Sequence, residues 1–320
     1  MSGIIINPYV YSTSESYFLD DYGTGIGGAY SFRKLSSTYS GDCIQIREDG
    51  GETLAEIGFD GDYIDEAAIL AHCGVNDGYI TKWYDQSGAW EIAPCNLCDG
   101  AIQQASTTYQ PLIVVSGTIK KKDGFVACNT KKAVLMTPSG GGSGNGWITG
   151  WFNTQDTAYF SVSYPDSTLP GGVGYQYDSW IGTAYAGGSN YRNTVGIDTV
   201  GNYGDAYHMN MRRNYSGAAF DPPGNGPTEV IYDEWHVASA IWRDKDNVAP
   251  VSNVTYLNLD GIAQVSFSTY TNESFNSIGW GAGANGWQPN AGELIFYQTV
   301  PDDATVANIE ANIMDYYGIS

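Results

Sequence analysis

The chain has 320 residues, is rich in Gly (41), Tyr (25) and Trp (9), and has only 15% charged residues. That length can bury a sizeable core as one large all-β domain. A formal net charge of −21 argues against a nucleic-acid partner, because little cationic surface exists to displace counterions from a phosphate backbone, and no stretch approaches the ~20 apolar residues that cross a bilayer.

The chain opens with Met1-Ser-Gly-Ile-Ile-Ile-Asn-Pro8, which has no basic start and only a short apolar run. It does not read as a secretory signal, so synthesis and assembly in a cytoplasm are expected. Residues 1–19 are read as an N-terminal docking segment. Gly and Pro then recur at short intervals, marking turns between short strands. Strands are expected at residues 43–47, 78–84, 112–115, 133–136, 158–163, 235–242, 254–259 and 263–267. In residues 235–242, Trp235, Val237, Ser239 and Ile241 share one face, and His236, Ala238, Ala240 and Trp242 the other. Both faces are largely apolar, as expected of an inner strand covered on two sides.

Two helices are expected. Residues 65–72 begin with acidic side chains and end before Gly74. The second follows Pro301, with Asp302 and Asp303 where a helix dipole favours negative charge. Val306, Ile309, Ile313 and Tyr316 or Tyr317 then recur at helical spacing, and Gly318 is a stop. Residues 301–318 are therefore read as a closing helix that packs one apolar stripe on the strands. The Gly/Ser tract at residues 138–146 is flexible by composition and is read as a loop inside one fold, so that residues 1–320 form a single domain. The segment 187–226, rich in Gly, Asn, Tyr and Pro, reads as long surface loops.

Little in the composition points to cofactor chemistry. The five cysteines, without a secretory signal, argue against a disulfide framework. Cys95 and Cys98 have the spacing of a zinc knuckle or redox pair but lack a second ligand pair, so inert thiols are favoured over a loop disulfide or a bound metal. Asp60-Gly-Asp-Tyr-Ile-Asp-Glu66 offers Asp60, Asp62 and Asp65 as calcium ligands, although the full EF-hand pattern is missing. No other cofactor is expected. His72, His208 and His236 are dispersed and read as core or surface residues. No nucleophile elbow, P-loop or paired-histidine metal motif occurs. Asp85 and Glu293 are the best isolated carboxylates, and for Asp85 capping the turn at residues 86–88 is favoured over acid/base work.

Two runs carry most of the information: Ala29-Tyr-Ser-Phe-Arg-Lys-Leu-Ser-Ser-Thr-Tyr-Ser-Gly-Asp42 and Tyr79-Ile-Thr-Lys-Trp-Tyr-Asp-Gln-Ser-Gly88. Between and after them stand Glu56-Ile-Gly-Phe-Asp-Gly61, Ala71-His-Cys-Gly74 and Tyr109-Gln-Pro-Leu-Ile-Val114. Towards the C-terminus come Glu234-Trp-His-Val-Ala238, Asn258-Leu-Asp-Gly-Ile262 and Gly292-Glu-Leu-Ile-Phe-Tyr297. In this order and spacing, the motifs resemble the concanavalin A-like (laminin-G-like) jelly-roll domain of tailed-phage virion proteins. More distantly, they resemble the catalytic domain of fungal arabinofuranosidase B. The resemblance implies an all-β jelly-roll sandwich of two antiparallel sheets with a short internal helix and a C-terminal helix.

The two relatives do different work. A glycosidase needs two carboxyl groups at the scissile bond. In the arabinofuranosidase-like enzymes, acids lie in an Asp-x-Glu-Asn motif and in a Gly-rich loop before the last strand. This chain has no Asp-x-Glu spacing, and its own loop, residues 279–290, carries no acid. The adjacent cysteine pair of the enzymes is absent, and Gly78 stands where their second loop cysteine would be. The expectation from these gaps is a non-enzymatic virion protein, either a tail fibre or spike component or a capsid decoration protein. Its partners would be other virion proteins, in a lattice or homo-oligomer, and host surface glycan. Trp90, Trp147, Trp280 and Trp287, beside Gly in loops or in the insertion at residues 89–100, are the candidate sugar-stacking residues. The alternatives are an arabinofuranosidase-like glycoside hydrolase and a stand-alone carbohydrate-binding module.

Overall fold

A computed structural model describes residues 16–88, 101–103, 107, 110–129, 156–166, 177–184, 191–198, 208–215, 218–220, 231–243, 254–267 and 290–320. The residues 1–15, 89–100 and 130–155, and with them the expected strand at 133–136, the Gly/Ser tract and the Cys95–Cys98 pair, lie outside the described residues.

Strands dominate, and every strand pair among the described residues is antiparallel. Ten strands of a 13-stranded sheet run in the order Ile262–Phe267, Val254–Leu259, His236–Arg243, Asp156–Tyr164, Asn290–Tyr297, Cys128–Asn129, Leu112–Val115, Gly78–Tyr84, Ile44–Glu48, Leu54–Ile57, with Ala101–Gln103 beside Gly78–Tyr84 and Thr118–Ile119 beside Leu112–Val115. The strand Ile26–Ser31 also pairs with Asn290–Tyr297. The short strand Cys128–Asn129 is the link, because it pairs with Ala291 and Asn290 on one side and with Leu112 on the other. Around it the sheet divides into two layers that face each other. Tyr30, Tyr159, Leu294 and Phe296 of one layer share a core with Ile44, Ile46, Ile80, Trp83, Ile113 and Val114 of the other. The indole of Trp83 stacks on Phe32 at 4.7 Å between ring centroids. This is the all-β sandwich that the sequence implied.

Side-chain alternation builds a second core on the outer face of the first layer. Ala158, Phe160 and Val162 face this second core, while Tyr159 faces the other layer. Ile295 and Tyr297 likewise alternate with Leu294 and Phe296. The expected two-sided burial of residues 235–242 is observed through Ile241. Val237 and Ile241 lie in the second core, and His236, Ala238 and Ala240 on the other face are also buried. Helices α1 (Phe18–Tyr22) and α3 (Asp303–Tyr317) cover this core with Phe18, Val306, Ile309, Ile313 and Tyr317. Asp302 caps α3 by accepting from Thr305 N at 2.7 Å, and Gly318 ends it in a left-handed conformation at φ 69°. Helix α2 (Glu66–Cys73) is capped in the same way by Asp65.

The Asp-Gly turn after Val254–Leu259 is a hairpin with both central residues at positive φ, 51° at Asp260 and 72° at Gly261, the geometry that matches the twist of paired strands. The long-loop reading of residues 187–226 is corrected. Strands Tyr191–Asp198, His208–Tyr215 and Ala218–Phe220 run through it and form a 4-stranded sheet with Tyr177–Ala184. Gly and Asn set the loop character of the composition there, but Tyr191, Thr194, Val195 and Ile197 suit a strand, and pairing with it carries His208–Tyr215.

A buried ion pair ties these parts together. Glu293, on the strand Asn290–Tyr297, has no exposed side-chain surface. Arg33 approaches it with Nε at 2.9 Å and Nη2 at 3.0 Å, and the Ser31 hydroxyl donates to it at 2.7 Å. The guanidinium also lies 4.2 Å from the ring centroid of Tyr316 on α3 and 5.9 Å from that of Phe18 on α1. Burial works against the charge on Arg33, but the carboxylate of Glu293 outweighs it and raises the Arg33 pKa.

Removing one partner leaves the other charge buried alone. Glu293→Ala is therefore expected to lower the unfolding free energy by about 3–5 kcal/mol in chemical denaturation. Glu66→Ala breaks the half-exposed pair with Lys121 and is expected to cost less than about 1 kcal/mol. Equal losses from the two substitutions would refute the assignment.

Candidate functional site

The two informative runs of the sequence meet in space, and side chains make the join. Asp85 Oδ1 accepts from Ala29 N at 2.7 Å and Ser87 N at 2.9 Å, and its Oδ2 accepts from the Ser87 hydroxyl at 2.7 Å. Gln86 Oε1 accepts from Leu35 N at 2.8 Å, and its Nε2 donates to Ser31 O at 2.9 Å and Arg33 O at 3.0 Å. The Asp-Gln-Ser turn thus satisfies the backbone of the segment that carries Arg33. The capping role read for Asp85 from sequence is what its contacts show. Burial pushes the Asp85 carboxyl up to about 6, against the three hydrogen bonds that favour its charged form.

In front of this join lies an open cleft of about 530 Å³, within the size range of small-ligand sites. Its walls are Leu19, Asp20 and Asp21 of α1, then Gly23, Thr24 and Ile26, then Ser36, Thr38 and Tyr39 from the first run, and Gln86, Ser87 and Gly88 from the second. Asp20 Oδ1 is oriented by the Ser36 hydroxyl at 3.3 Å and Ser37 N at 3.2 Å, and Asp21 accepts from Ser16. Tyr39 is held at both ends, donating to Asp42 O at 2.7 Å and meeting Phe59 edge-on. The sequence reading missed this cleft. Asp20 and Asp21 carry no motif, and only folding brings them beside residues 36–39 and 86–88.

Trp90, Trp147, Trp280 and Trp287 lie outside the described residues. Asp65 is occupied as the cap of α2, Asp62 accepts from the Tyr17 hydroxyl, and Asp60 is exposed. Among the described residues, no group of three or more His, Cys, Asp or Glu side chains is placed to hold a metal ion. Glu293 is the partner of Arg33. Cys43, Cys73 and Cys128 are buried free thiols. Gly78, at the position compared with a loop cysteine, sits where an added Cβ would come within 2.7 Å of Cys73 Sγ. The packing there is built around bare backbone. His72 is half-buried, with Nε2 3.1 Å from Thr53 O. His236 is buried, with Nδ1 2.6 Å from Asp260 Oδ2 and Nε2 2.7 Å from Ile231 O. Only the imidazolium can donate to both acceptors. Burial opposes that charge, yet Asp260 and the Ile231 carbonyl hold the His236 pKa above its ordinary value.

No family model matches the chain, and no curated protein matches it. Solved structures do. An arabinofuranosidase complexed with arabinofuranosyl-α-1,2-xylobiose matches at TM-score 0.56 and 15% identity, over 94% of this chain and 64% of that one. A GH54 α-L-arabinofuranosidase soaked with a cyclic sulfate inhibitor matches at TM-score 0.58 and 16% identity, with the same coverage. A mutant GH54 enzyme soaked with 4-nitrophenyl α-L-arabinofuranoside matches at TM-score 0.58 and 15% identity. The chain spans 64% of the length of these structures. At this identity the likeness is one of fold. It nevertheless corrects the expectation of a non-enzymatic virion protein. The matches favour the arabinofuranosidase-like alternative and give no support to a phage, tail-fibre or capsid role. The missing motifs were weak grounds, because they compare positions in sequence and not the carboxyl groups that a fold gathers.

Two titrations should be visible in stability. The folded-state pKa of Asp85 is raised, so its contribution is full below its ordinary value of 3.8 and is lost as pH rises through about 6. Asp85→Asn keeps the acceptor for Ala29 and should flatten the stability profile in that window. The His236 contribution is full below 6.5 and is lost as pH rises through its raised folded value, so His236→Gln should flatten the profile above 6.5. Urea denaturation across pH 4–9 checks both, and wild-type-like slopes in the variants would contradict the assignments.

Proposed function

We propose that the chain is a glycoside hydrolase that acts on arabinofuranosides. The observation that carries this reading is the match of 94% of the chain to the arabinofuranosidase fold. Glu293 is spent on Arg33, and Asp85 is spent on the turn that joins the two runs.

Hydrolysis needs one carboxyl group to protonate the leaving group and another to act as nucleophile or base. Outside the described residues, the stretches between the later strands hold Asp205, Asp221, Glu229, Asp244, Asp246 and Glu273.

The test is release of 4-nitrophenol from 4-nitrophenyl α-L-arabinofuranoside by the purified chain. Turnover is expected, and replacing each of the six acids by alanine should single out two whose loss lowers kcat by roughly 10²–10⁴-fold. Asp85→Asn should retain turnover. An inactive wild-type chain, folded by thermal melt, would overturn the proposal.

A further inference from the structure

The cleft between α1 and the residue 86–88 turn has a chemistry that the hydrolase reading does not use. Both its carboxylates keep an oxygen in reserve. Asp20 spends Oδ1 on Ser36 and Ser37, and Asp21 spends Oδ2 on Ser16, which leaves Asp20 Oδ2 and Asp21 Oδ1 as acceptors. The hydroxyls of Ser36 and Thr38 are 3.1 Å apart, so that wall is an ordered rim of hydroxyl groups. Tyr39, fixed by Asp42 and Phe59, adds a rigid ring whose apolar face costs little entropy to use.

Carboxylate acceptors, a hydroxyl rim and one immobilised ring match a polyhydroxylated ring. Such a ligand donates neighbouring hydroxyls to a carboxylate and lays its C–H face on an aromatic. The charge selects further. Two carboxylates in the cleft, on a chain of net charge −21, repel an anionic sugar. A calcium ion would want about 6–8 oxygen ligands, and no third acidic side chain completes a metal-holding group among the described residues.

We propose that this cleft is a binding site for a neutral saccharide, with Asp20 and Asp21 accepting ring hydroxyls and Tyr39 stacking beneath the sugar. The proposal rests on the cleft's own chemistry and is independent of hydrolysis.

Isothermal titration calorimetry of the full chain with L-arabinose and with xylobiose tests it, because neither sugar has an arabinofuranosidic bond to cleave. D-galacturonate and calcium chloride are the competing probes. Binding of at least one neutral sugar is expected, without binding of galacturonate. Asp21→Ala and Tyr39→Ala should each weaken it at least tenfold, while Tyr39→Phe, which keeps the ring, should preserve it. Asp20→Asn, with the same shape as aspartate, covers the case in which Asp21→Ala does not fold. The proposal is overturned if wild-type protein binds neither sugar, if galacturonate binds as tightly, if calcium alone binds, or if the folded variants bind like wild type. A chain that hydrolyses the chromogenic arabinofuranoside yet shows no such binding would refute this site and leave the hydrolase reading intact.

Discussion

A fully buried carboxylate in the middle of a sheet has to be answered by a positive charge, and in this molecule Arg33 answers Glu293 across 260 residues of sequence. Isolated, either charge would be expelled or neutralised by the low-dielectric interior. Together they fix the register of Ile26–Ser31 against Asn290–Tyr297, where Ser31 stands directly opposite Glu293. The planar guanidinium also serves as a platform for Tyr316 and Phe18, so the helices over the outer core are positioned by the same group.

The Asp85-Gln86-Ser87 turn extends this arrangement into the second layer. Its side chains take up backbone donors and acceptors from Ala29 to Leu35, the stretch in which Arg33 lies. Trp83, just before the turn, stacks on Phe32, just before Arg33. The most recognisable residues of the chain are therefore scaffold. They hold one layer to the other and, as a by-product, create the polar cleft in front of the join.

Residues that carry the fold therefore differ from residues that carry function. The residues at the join of the two runs identify only the fold, because the polar atoms of Ser31, Asp85 and Gln86 are consumed internally. An acid motif absent from the sequence leaves open which carboxyl groups the fold gathers. The structures that share the fold are arabinofuranosidases, at an identity of 15–16%, too low for a spacing rule to survive.

What the sequence determined by itself was local or periodic. Alternation placed the strand at residues 78–84 within its observed bounds. The acidic Asp302 and Asp303, the apolar stripe and Gly318 marked the closing helix. Each of these signals is written within a few residues, where backbone geometry and side-chain period are set. The strands at 191–198 and 208–215 escaped because scattered Gly and Asn masked short alternations whose pairing is decided by neighbouring strands. Tertiary structure alone decided that Glu293 belongs to Arg33, that Asp85 is a staple, and that Asp20 and Asp21 share a cleft with Tyr39. Those relations join residues far apart in the chain, and a buried charge or a shared cavity exists only once the chain has closed around it.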